Sequence, residues 1–165
     1  MRTDDCESTG SVEVGFVGRV LLNAFNALEY GEQTNNTDLI NKANSVFDSY
    51  LKHGFTPNGF FREFVDYSHN NETDIYSIRR QSEGAFAILN YLNYEKKQGR
   101  KHPEWEAKIK TLLANFQKLQ GQDGSFPRKF DDQFRVTGPS GGSTPSATLP
   151  LTMAYTYFKN KEYME

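Results

Sequence analysis

Apolar residues follow two alternating patterns along this chain, and each pattern predicts a different kind of helix. In the segments 11–29, 74–98 and 143–158, apolar side chains point nearly all round a helical cylinder, which indicates helices buried on most sides. In the segments 36–53 and 103–119, they form one stripe at helical spacing opposite polar residues, which is typical of helices with one solvent-exposed face. The pattern therefore predicts five helices, in which fully buried and amphipathic helices alternate.

Capping residues support these helix ends. Asn36 and Asp74 are good N-cap residues, Pro103 suits a first helical turn, and Ser143 stands just before the fifth helix. Pro150 either lies in the first turn of that helix or kinks it. No stretch shows a strong alternation of apolar and polar residues of the kind that indicates a half-buried strand, so the predicted fold class is all-α.

The connections between the predicted helices alternate in length as well. Those at 30–36 and 99–102 are short, whereas 54–73 and 120–142 are long, and loops of such length in a compact domain are usually functional. Both long loops open on the same kind of turn, written GFTPNGFFREFVD in the first loop and GQDGSFPRKFDD in the second. A fixed period that contains two helices and one long loop predicts a helical-hairpin repeat.

The two ends of the sequence suggest that the repeat continues. Residues 1–10 are interpreted as a tail that resembles the close of another long loop, and residues 11–165 as one domain of roughly two and a half hairpins. The last predicted helix is apolar on all sides but has no amphipathic partner after it, so we expect it to expose apolar surface. The chain is therefore interpreted as part of a longer toroid, or as a protein that self-associates through its uncovered inner helices.

An arrangement in two layers explains the alternation of helices. If the fully apolar helices lie side by side in an inner ring, the amphipathic helices can cover them from outside and keep one face in solvent. The long loops then all fall at one end of the ring, where the inner helices begin and their unpaired N–H groups point. A ligand with hydroxyl or carboxylate groups would meet aromatic side chains and such donors together at that end.

Three segments resemble a known group of helical-hairpin proteins. RRQSEGAFAILNYL (79–92), LQGQDGSFPRKF (119–130) and SGGSTPSATLPLTMAYTYF (140–158) are similar to repeats of (α/α) toroids, most of all to the six-hairpin glycosidase-like proteins that process polysaccharides. The resemblance implies a partial (α/α) toroid of a polysaccharide hydrolase or lyase, whose catalytic centre is incomplete in this chain. QGQDGSF also resembles the repeat of terpene-cyclase toroids, with Phe126 in the place of a tryptophan, but the aspartate-rich motifs of those enzymes are not visible.

Composition and charge narrow the possible functions. The 165 residues are 36% hydrophobic and 14% aromatic, which is typical of a globular protein. A net charge of −2 without a run of Lys or Arg argues against a nucleic-acid partner. One cysteine and three scattered histidines give no zinc spacing, so neither a metal nor a cofactor is expected. No apolar stretch predicts a membrane span or a signal peptide; the compartment stays open, and the resemblance implies a periplasmic or extracellular one.

Glu83 is the candidate catalytic residue. It lies near the start of a predicted inner helix beside Arg79 and Arg80, where its carboxylate would face the central cavity as an acid or a base. Hydrolysis of glycosidic bonds commonly uses two such carboxylates. The alternative is that Arg79 and Glu83, which are four positions apart, only form a pair on the helix surface.

The candidate substrate-binding residues lie in the long loops and at the helix starts that follow them. They are Arg79, Arg80, Gln81, Phe61, Arg62, Phe126, Arg128, Ser143 and Thr144. Gly141 and Gly142 make a glycine-rich approach to the N-terminus of the fifth helix. This approach could cradle an anion or a sugar hydroxyl, or it could only cap the helix.

Repetition favours a structural role for part of the repeated turn, because repeats copy scaffolds whereas an active site usually occurs once. Asn58 and Asp123 are then expected to cap their turns, with Gly59 and Gly124 at positive φ. By the same argument, residues without a counterpart in the other repeat are better functional candidates, and Glu83 is one of them.

The arginine and aromatic residues of the loops also have two interpretations. Arg62 and Arg128 either bind substrate or brace the loops, with Asp66 or Asp131 as a carboxylate partner. The loop aromatics either stack on sugar rings or are buried under the loops; they are Phe60, Phe61, Tyr67, Phe126 and Phe134.

Three function classes therefore remain, and they differ in the site that each one requires. A polysaccharide hydrolase or lyase predicts that Glu83 and a second carboxylate line one cleft, with a raised carboxyl pKa. A glycan- or protein-binding module without enzyme activity predicts exposed aromatic side chains there and no carboxylate pair. A terpenoid-type toroid predicts a dry cavity lined by aromatic side chains.

Overall fold

Five α-helices carry the fold, as the hydrophobic pattern predicts. The computed structural model describes residues 3–4, 7–8, 11–12, 17–66, 68–139 and 141–164. The helices are α1 (Val17–Gln33), α2 (Thr37–His53), α3 (Ile78–Lys97), α4 (Pro103–Leu119) and α5 (Thr144–Phe158), and a 3₁₀ turn follows at Lys161–Met164. Helices account for most of the described chain, so the all-α class is confirmed.

Several helix ends lie where the capping residues predict them. The side chain of Asn36 accepts a hydrogen bond from the backbone N–H of Leu39 at 3.2 Å, which caps α2. Pro103 lies in the first turn of α4, and Ser143 directly precedes α5. The predicted start of α3 at Asp74 is wrong, because a short strand occupies the residues before Ile78.

The predicted start of α1 at residue 11 is also wrong. Residues 11–12 form a strand instead, and α1 begins at Val17. Residues 13–16 of the predicted helix lie outside the described residues, as do six residues of the tail 1–10, the aromatic candidate Tyr67, and Ser140 of the segment used for the resemblance.

The helices lie in two layers. Helix α3 packs between α1 on one side and α5 on the other, α2 packs against α1, and α4 packs against α3. Eleven of the twenty residues of α3 are buried, including Gln81 and Glu95 as well as its apolar residues. Helix α3 is therefore the central inner helix, and the predicted alternation of inner and outer helices is confirmed.

The other two inner helices are each buried on one side only. Helix α1 exposes Val20 and Tyr30, and α5 exposes Leu149 and Tyr155. Helix α5 contains no charged residue at all, so even its solvent-facing side is uncharged. The expectation that α1 and α5 are buried on most sides is wrong for the described residues, whereas the expected apolar surface on α5 is present.

Short antiparallel strands, which the sequence did not predict, join the loops. Strands β1 (Thr3–Asp4) and β2 (Glu7–Ser8) form a pair. Strands β3 (Ser11–Val12), β4 (Val65–Asp66) and β5 (Asn71–Glu72) form a second sheet. The third sheet contains β6 (Ile75–Ser77), β7 (Lys129–Asp131) and β8 (Val136–Gly138).

The third sheet brings the two long loops to the same end of the helices. Strand β6 precedes α3, strand β7 belongs to the second long loop, and Tyr76 lies opposite Phe130 in their pairing. Outside the sheet, the side chain of Asn58 donates to the carbonyl of Asp132 at 3.1 Å, and the N–H of Asp132 donates to the carbonyl of Asp74 at 3.1 Å. The prediction that the long connections gather at one end is confirmed.

The repeated turn has the same backbone in both loops. Gly59 has a φ of +85° and donates to the carbonyl of Thr56, and Gly124 has a φ of +78° and donates to the carbonyl of Gly121. Glycine reaches this left-handed conformation without the steric cost that a Cβ imposes. The predicted positive φ at both glycines is therefore confirmed.

Aromatic side chains fill the space beneath the loops. Phe60 and Phe130 are fully buried, and their ring centroids lie 4.9 Å apart. Tyr76 stacks on Phe60 with a centroid distance of 5.2 Å. Of the two interpretations of the loop aromatics, burial under the loops is therefore the one that applies to Phe60.

A network of charged side chains joins the helices at the opposite, short-loop end. The carboxylate of Glu95 on α3 accepts hydrogen bonds from Arg100 at 2.8 and 2.5 Å and contacts the His102 ring at 2.6 Å. Arg100 also lies 2.8 Å from a carboxylate oxygen of Glu32 on α1. Burial by itself raises the pKa of Glu95, but the hydrogen bonds from Arg100 and His102 outweigh it and lower that pKa.

The central position of α3 predicts a large difference between two identical substitutions. Leu89→Ala removes a fully buried side chain and is expected to lower the free energy of unfolding by about 2–5 kcal/mol. Leu149→Ala, at a residue of α5 that is 51% exposed, is the matched control and is expected to change it by about 0.5 kcal/mol or less. Urea denaturation of both variants measures the difference, and equal losses would contradict the central position of α3.

The repeated turn offers a second matched pair. Gly124→Ala places a Cβ 3.8 Å from Nε2 of Gln120, an ordinary van der Waals contact, and is expected to cost only the positive-φ strain, about 1 kcal/mol. Gly59→Ala places a Cβ 2.6 Å from Cγ2 of Thr111, so it is expected to cost about 1–3 kcal/mol more. Thermal or urea unfolding compares the two variants, and a Gly124→Ala protein that is the less stable of the two would refute this explanation.

Candidate functional site

A cavity of about 760 Å³ opens at the long-loop end, between the loops and the N-terminal ends of the inner helices. Its basic lining residues are Arg19, Arg79, Arg80, Arg128 and Lys129, and its acidic lining residues are Glu63 and Glu83. The cavity therefore has an excess of positive charge, although the chain as a whole has a net charge of −2.

The cavity contains part of the set of residues that the sequence predicts for the site. Five of them contribute to its lining: Arg79, Arg80, Glu83, Arg128 and Ser143. Phe61, Gln81 and Phe126 are buried instead, at 0%, 0% and 6% exposure. The structure thus brings together residues from the start of α3, the second long loop and the start of α5.

Glu83 both pairs with an arginine and faces the cavity. Nε of Arg79 donates to its carboxylate at 3.0 Å, and the Glu83 side chain is 35% exposed. Helix α1 crosses close by at Gly18, where a Cβ would lie only 2.4 Å from the Cβ of Glu83. The helix pair expected from the i, i+4 spacing exists, and it leaves the carboxylate accessible from the cavity.

Glu63 is a second carboxylate in the cavity, and sequence reasoning missed it. The residue is 3% exposed, and its carboxylate accepts hydrogen bonds from the N–H of Ser77 at 2.7 Å, Nε2 of Gln81 at 3.1 Å and Nη1 of Arg80 at 3.4 Å. Burial raises the pKa of Glu63, and these hydrogen bonds and the Arg80 charge only partly oppose the effect.

The signal for Glu63 was present in the repeat. In the two copies of the turn, Arg62–Glu63–Phe64 corresponds to Arg128–Lys129–Phe130, so the charge between the arginine and the phenylalanine is reversed. Both residues of this reversed pair line the cavity. A comparison of the copies that took account of the sign of each charge would have selected Glu63.

Gln81 holds the first long loop in place. Its Oε1 accepts a hydrogen bond from the N–H of Phe61 at 2.8 Å, and its Nε2 donates to the carbonyl of the same residue at 2.8 Å. The same Nε2 also donates to Glu63. Gln81 therefore does not line the cavity itself, but it positions Glu63, which does.

Arg62 stabilises the first long loop, but its partner differs from the one expected. Arg62 pairs with Glu72 across the first loop and donates to the carbonyl of His53 at 3.1 Å, so the expected pairing with Asp66 is wrong. Asp131 pairs with Arg135 at 2.7 Å. Arg128, by contrast, is exposed and lines the cavity.

The glycine-rich approach to α5 lies beside Arg128. Gly141 has a φ of +143°, and a Cβ on it would lie 2.6 Å from Cδ of Arg128. Ser143 is 4% exposed and contributes to the cavity lining. Oγ1 of Thr144 accepts a hydrogen bond from the N–H of Phe126 at 3.0 Å, so this residue fastens the second loop to α5.

Two further findings concern other kinds of site. Within the described residues, no group of three or more His, Cys, Asp or Glu side chains is placed to hold a metal ion. No helix in that part of the chain has the length and apolarity needed to cross a bilayer.

The raised pKa of Glu63 predicts a pH-dependent effect of its substitution. Because the folded state favours the protonated carboxyl, the stability that Glu63 contributes is fully present below its ordinary pKa and is lost as the pH rises through the raised value. Glu63→Gln resembles the protonated form, so its stability relative to wild type is expected to improve as the pH rises through that range. Urea denaturation across the acidic to neutral range measures this difference.

A variant whose substitution changes no titratable group serves as the control for this experiment. Leu89→Ala should differ from wild type by the same free energy at each pH, because leucine does not titrate. A Glu63→Gln protein whose stability relative to wild type is equally independent of pH would contradict the raised pKa.

The architecture matches solved structures of sugar-processing enzymes at low sequence identity. Cellobiose 2-epimerase from Spirochaeta thermophila superposes with a TM-score of 0.70 at 12% identity, over 94% of this chain and 41% of that one. A D-mannose isomerase gives 0.69 at 13% identity, over 93% of this chain and 38% of that one. Unsaturated glucuronyl hydrolase from a Bacillus species superposes with a TM-score of 0.63 at 15% identity, over 93% of this chain and 41% of that one.

These similarities establish a fold and its extent. No protein-family profile and no curated protein sequence matches the chain. The chain spans about two fifths of the length of the similar structures named above. At identities this low, the similarity shows the fold, and the activity has to be inferred from the residues of the site. The chain therefore has part of an (α/α) toroid fold.

Proposed function

We propose that this chain is part of a carbohydrate-processing (α/α) toroid protein of the polysaccharide hydrolase or lyase type. Its ligand face is formed by the loops 54–73 and 120–142 together with the starts of α3 and α5. Support comes from the fold, since the similar structures include enzymes of cellobiose, mannose and unsaturated glucuronyl substrates.

The observation that carries this proposal is the pair of carboxylates in one cavity. Glu63 and Glu83 both line it, and burial raises the pKa of Glu63. Enzymes that cleave glycosidic bonds use two carboxyl groups whose environments give them different protonation states. Of the three function classes, only the hydrolase or lyase class requires such a pair.

The two carboxyl groups have different surroundings and hence different roles in this proposal. Glu63 is buried, and this burial raises the pKa of its carboxyl group, so it is the candidate to donate a proton to the oxygen of the leaving group. Glu83 is 35% exposed and accepts a hydrogen bond from the Arg79 guanidinium, so its carboxyl group can be reached from the cavity and is the candidate base or nucleophile.

The cavity lining gives less support to the other two classes. A terpenoid-type site requires a dry, aromatic lining, whereas seven charged side chains line this cavity. A binding module requires exposed aromatics, but the candidates Phe60, Phe61 and Phe126 are buried. The uncovered sides of α1 and α5 are available for the remaining hairpins of a toroid or for a second copy of the chain.

A glycan-array screen of wild type, Glu83→Ala and Glu63→Gln tests the proposed function. Wild type is expected to bind a saccharide, and each variant to bind it about tenfold more weakly, because each loses a charged or hydrogen-bonded contact in the cavity. Glu104→Gln, which changes an exposed carboxylate at the short-loop end of α4, is the matched control and is expected to bind like wild type.

The outcomes of the screen decide between the proposals. Folded wild-type protein that binds no glycan, or equal binding by all four proteins, would contradict the proposed function. Turnover of a bound polysaccharide would identify the reaction type, since both reactions yield a new reducing end but differ at the other new end. Hydrolysis adds water across the glycosidic bond and yields a saturated non-reducing end. Elimination removes a proton from the sugar, expels the glycosidic oxygen as the leaving group and yields an unsaturated sugar at the non-reducing end.

A further inference from the structure

We propose that the side of the cavity next to α5 is an anion subsite that takes the carboxylate of an acidic sugar. The subsite consists of Arg128, Ser143 and the backbone of Gly141 and Gly142 at the start of α5. The inference rests on the proposed function, because it names the class of saccharide that the same cavity binds.

The first observation is the distribution of charge within the cavity. Both carboxylates have an arginine partner, Arg79 for Glu83 and Arg80 for Glu63. Arg128 and Lys129 form no ion pair within the described residues, and both are exposed at the cavity wall. The basic charge on this side is therefore available to a ligand with negative charge.

The second observation is the hydroxyl group of Ser143. The residue is 4% exposed and lines the cavity, yet its side chain does not cap α5 and forms no hydrogen bond with any described residue. Its hydroxyl group is therefore free to donate a hydrogen bond to a group bound in the cavity. A carboxylate oxygen of a bound ligand would accept the hydrogen bond that Ser143 lacks.

The third observation is the free N-terminus of α5. The first turn contains no acidic residue, so no side chain of the helix itself offsets the positive end of the helix dipole. Pro145 has no N–H, which leaves the amides of Thr144 and Ser146 as the first unpaired donors. Backbone donors at a helix N-terminus are suited to bind an anion.

The glycines before Ser143 keep this end of the helix open. Gly141 and Gly142 both have positive φ, and a Cβ on Gly142 would meet nothing within 4 Å. At Gly141 a Cβ would collide with the Arg128 side chain, so glycine is what allows the arginine to lie directly beside the helix start. The geometry thus places Arg128, Gly141 and Ser143 together on one wall of the cavity, directly before the start of α5.

A carboxylate on a sugar is the anion that best fits this wall. A guanidinium can donate two parallel hydrogen bonds to a carboxylate, and a hydroxyl group or a helix amide can donate a third. Since Glu63 and Glu83 line the same cavity, an acidic sugar anchored here would place a neighbouring glycosidic bond near the carboxylate pair.

The test compares an oligogalacturonate with its carboxyl-reduced form in titration calorimetry on the full chain. Wild type is expected to bind the oligogalacturonate more tightly than the carboxyl-reduced form. The affinity for the oligogalacturonate is expected to fall as salt is added. Arg128→Gln and Ser143→Ala are each expected to weaken binding of the acidic form about tenfold and to leave binding of the reduced form unchanged. Lys101→Gln, which removes one charge at the short-loop end, is the control and should behave like wild type.

The results separate this inference from the proposed function. Equal binding of both forms by wild type, with no effect of Arg128→Gln, would overturn the anion subsite and leave the carbohydrate function standing. If folded wild-type protein binds neither form of the saccharide, the carbohydrate function is refuted as well. Binding of inorganic phosphate that depends on Arg128, without any preference for the acidic saccharide, would overturn the assignment of the anion to a sugar carboxylate.

Discussion

The backbone pairing of β6 with β7 is the constraint on which the rest of the structure depends. It joins the residues that lead into α3 to the loop that leads into α5, so both inner helices must begin at the same end of the molecule. Tyr76 and Phe130, which face each other in this pairing, close the aromatic core under the loops together with Phe60. The pairing thus helps to bring residues of both long loops into the lining of one cavity.

The same constraint places the carboxylate that the proposed chemistry needs. Ser77, at the end of β6, donates its backbone N–H to Glu63, and Gln81 follows one turn later on α3. Gln81 in turn fixes the backbone of Phe61, so the first loop is held by a side chain of the helix that the loop covers. A buried glutamate with a raised pKa is thus the product of a strand end, a helix start and a loop that meet at one point.

The presence of the five helices and the Asn36 cap could be predicted from the sequence because the information that specifies them is local, whereas the starts of α1 and α3 could not, because short strands occupy part of the segments predicted as helix. The apolar residues of α3 surround the helix, and Asn36 caps α2 as its residue type suggests. The strands could not be predicted, since segments of two or three residues are too short to show alternation. The partner of Arg62 could not be predicted either, because Glu72 reaches it only after the first loop has folded back on itself.

The candidate site was predictable in part. Arg79, Arg80 and Glu83 lie on one helix turn, so their proximity follows from helical geometry alone. Glu63 reaches them through tertiary contacts, and only its reversed charge relative to Lys129 distinguished it within the repeat. Divergence between copies of a repeat thus carried more information about the site than the shared residues did.

The two ends of the helices respond to protons in opposite ways. At the short-loop end, Arg100 and His102 lower the pKa of Glu95, so acidification weakens the contacts that join α3 to the following connection and to α1. At the cavity end, the raised pKa of Glu63 means that mild acid favours the folded arrangement of the first loop. A shift in pH therefore redistributes stability along the helix axis, and local opening measured by hydrogen exchange should move from one end of the hairpins to the other.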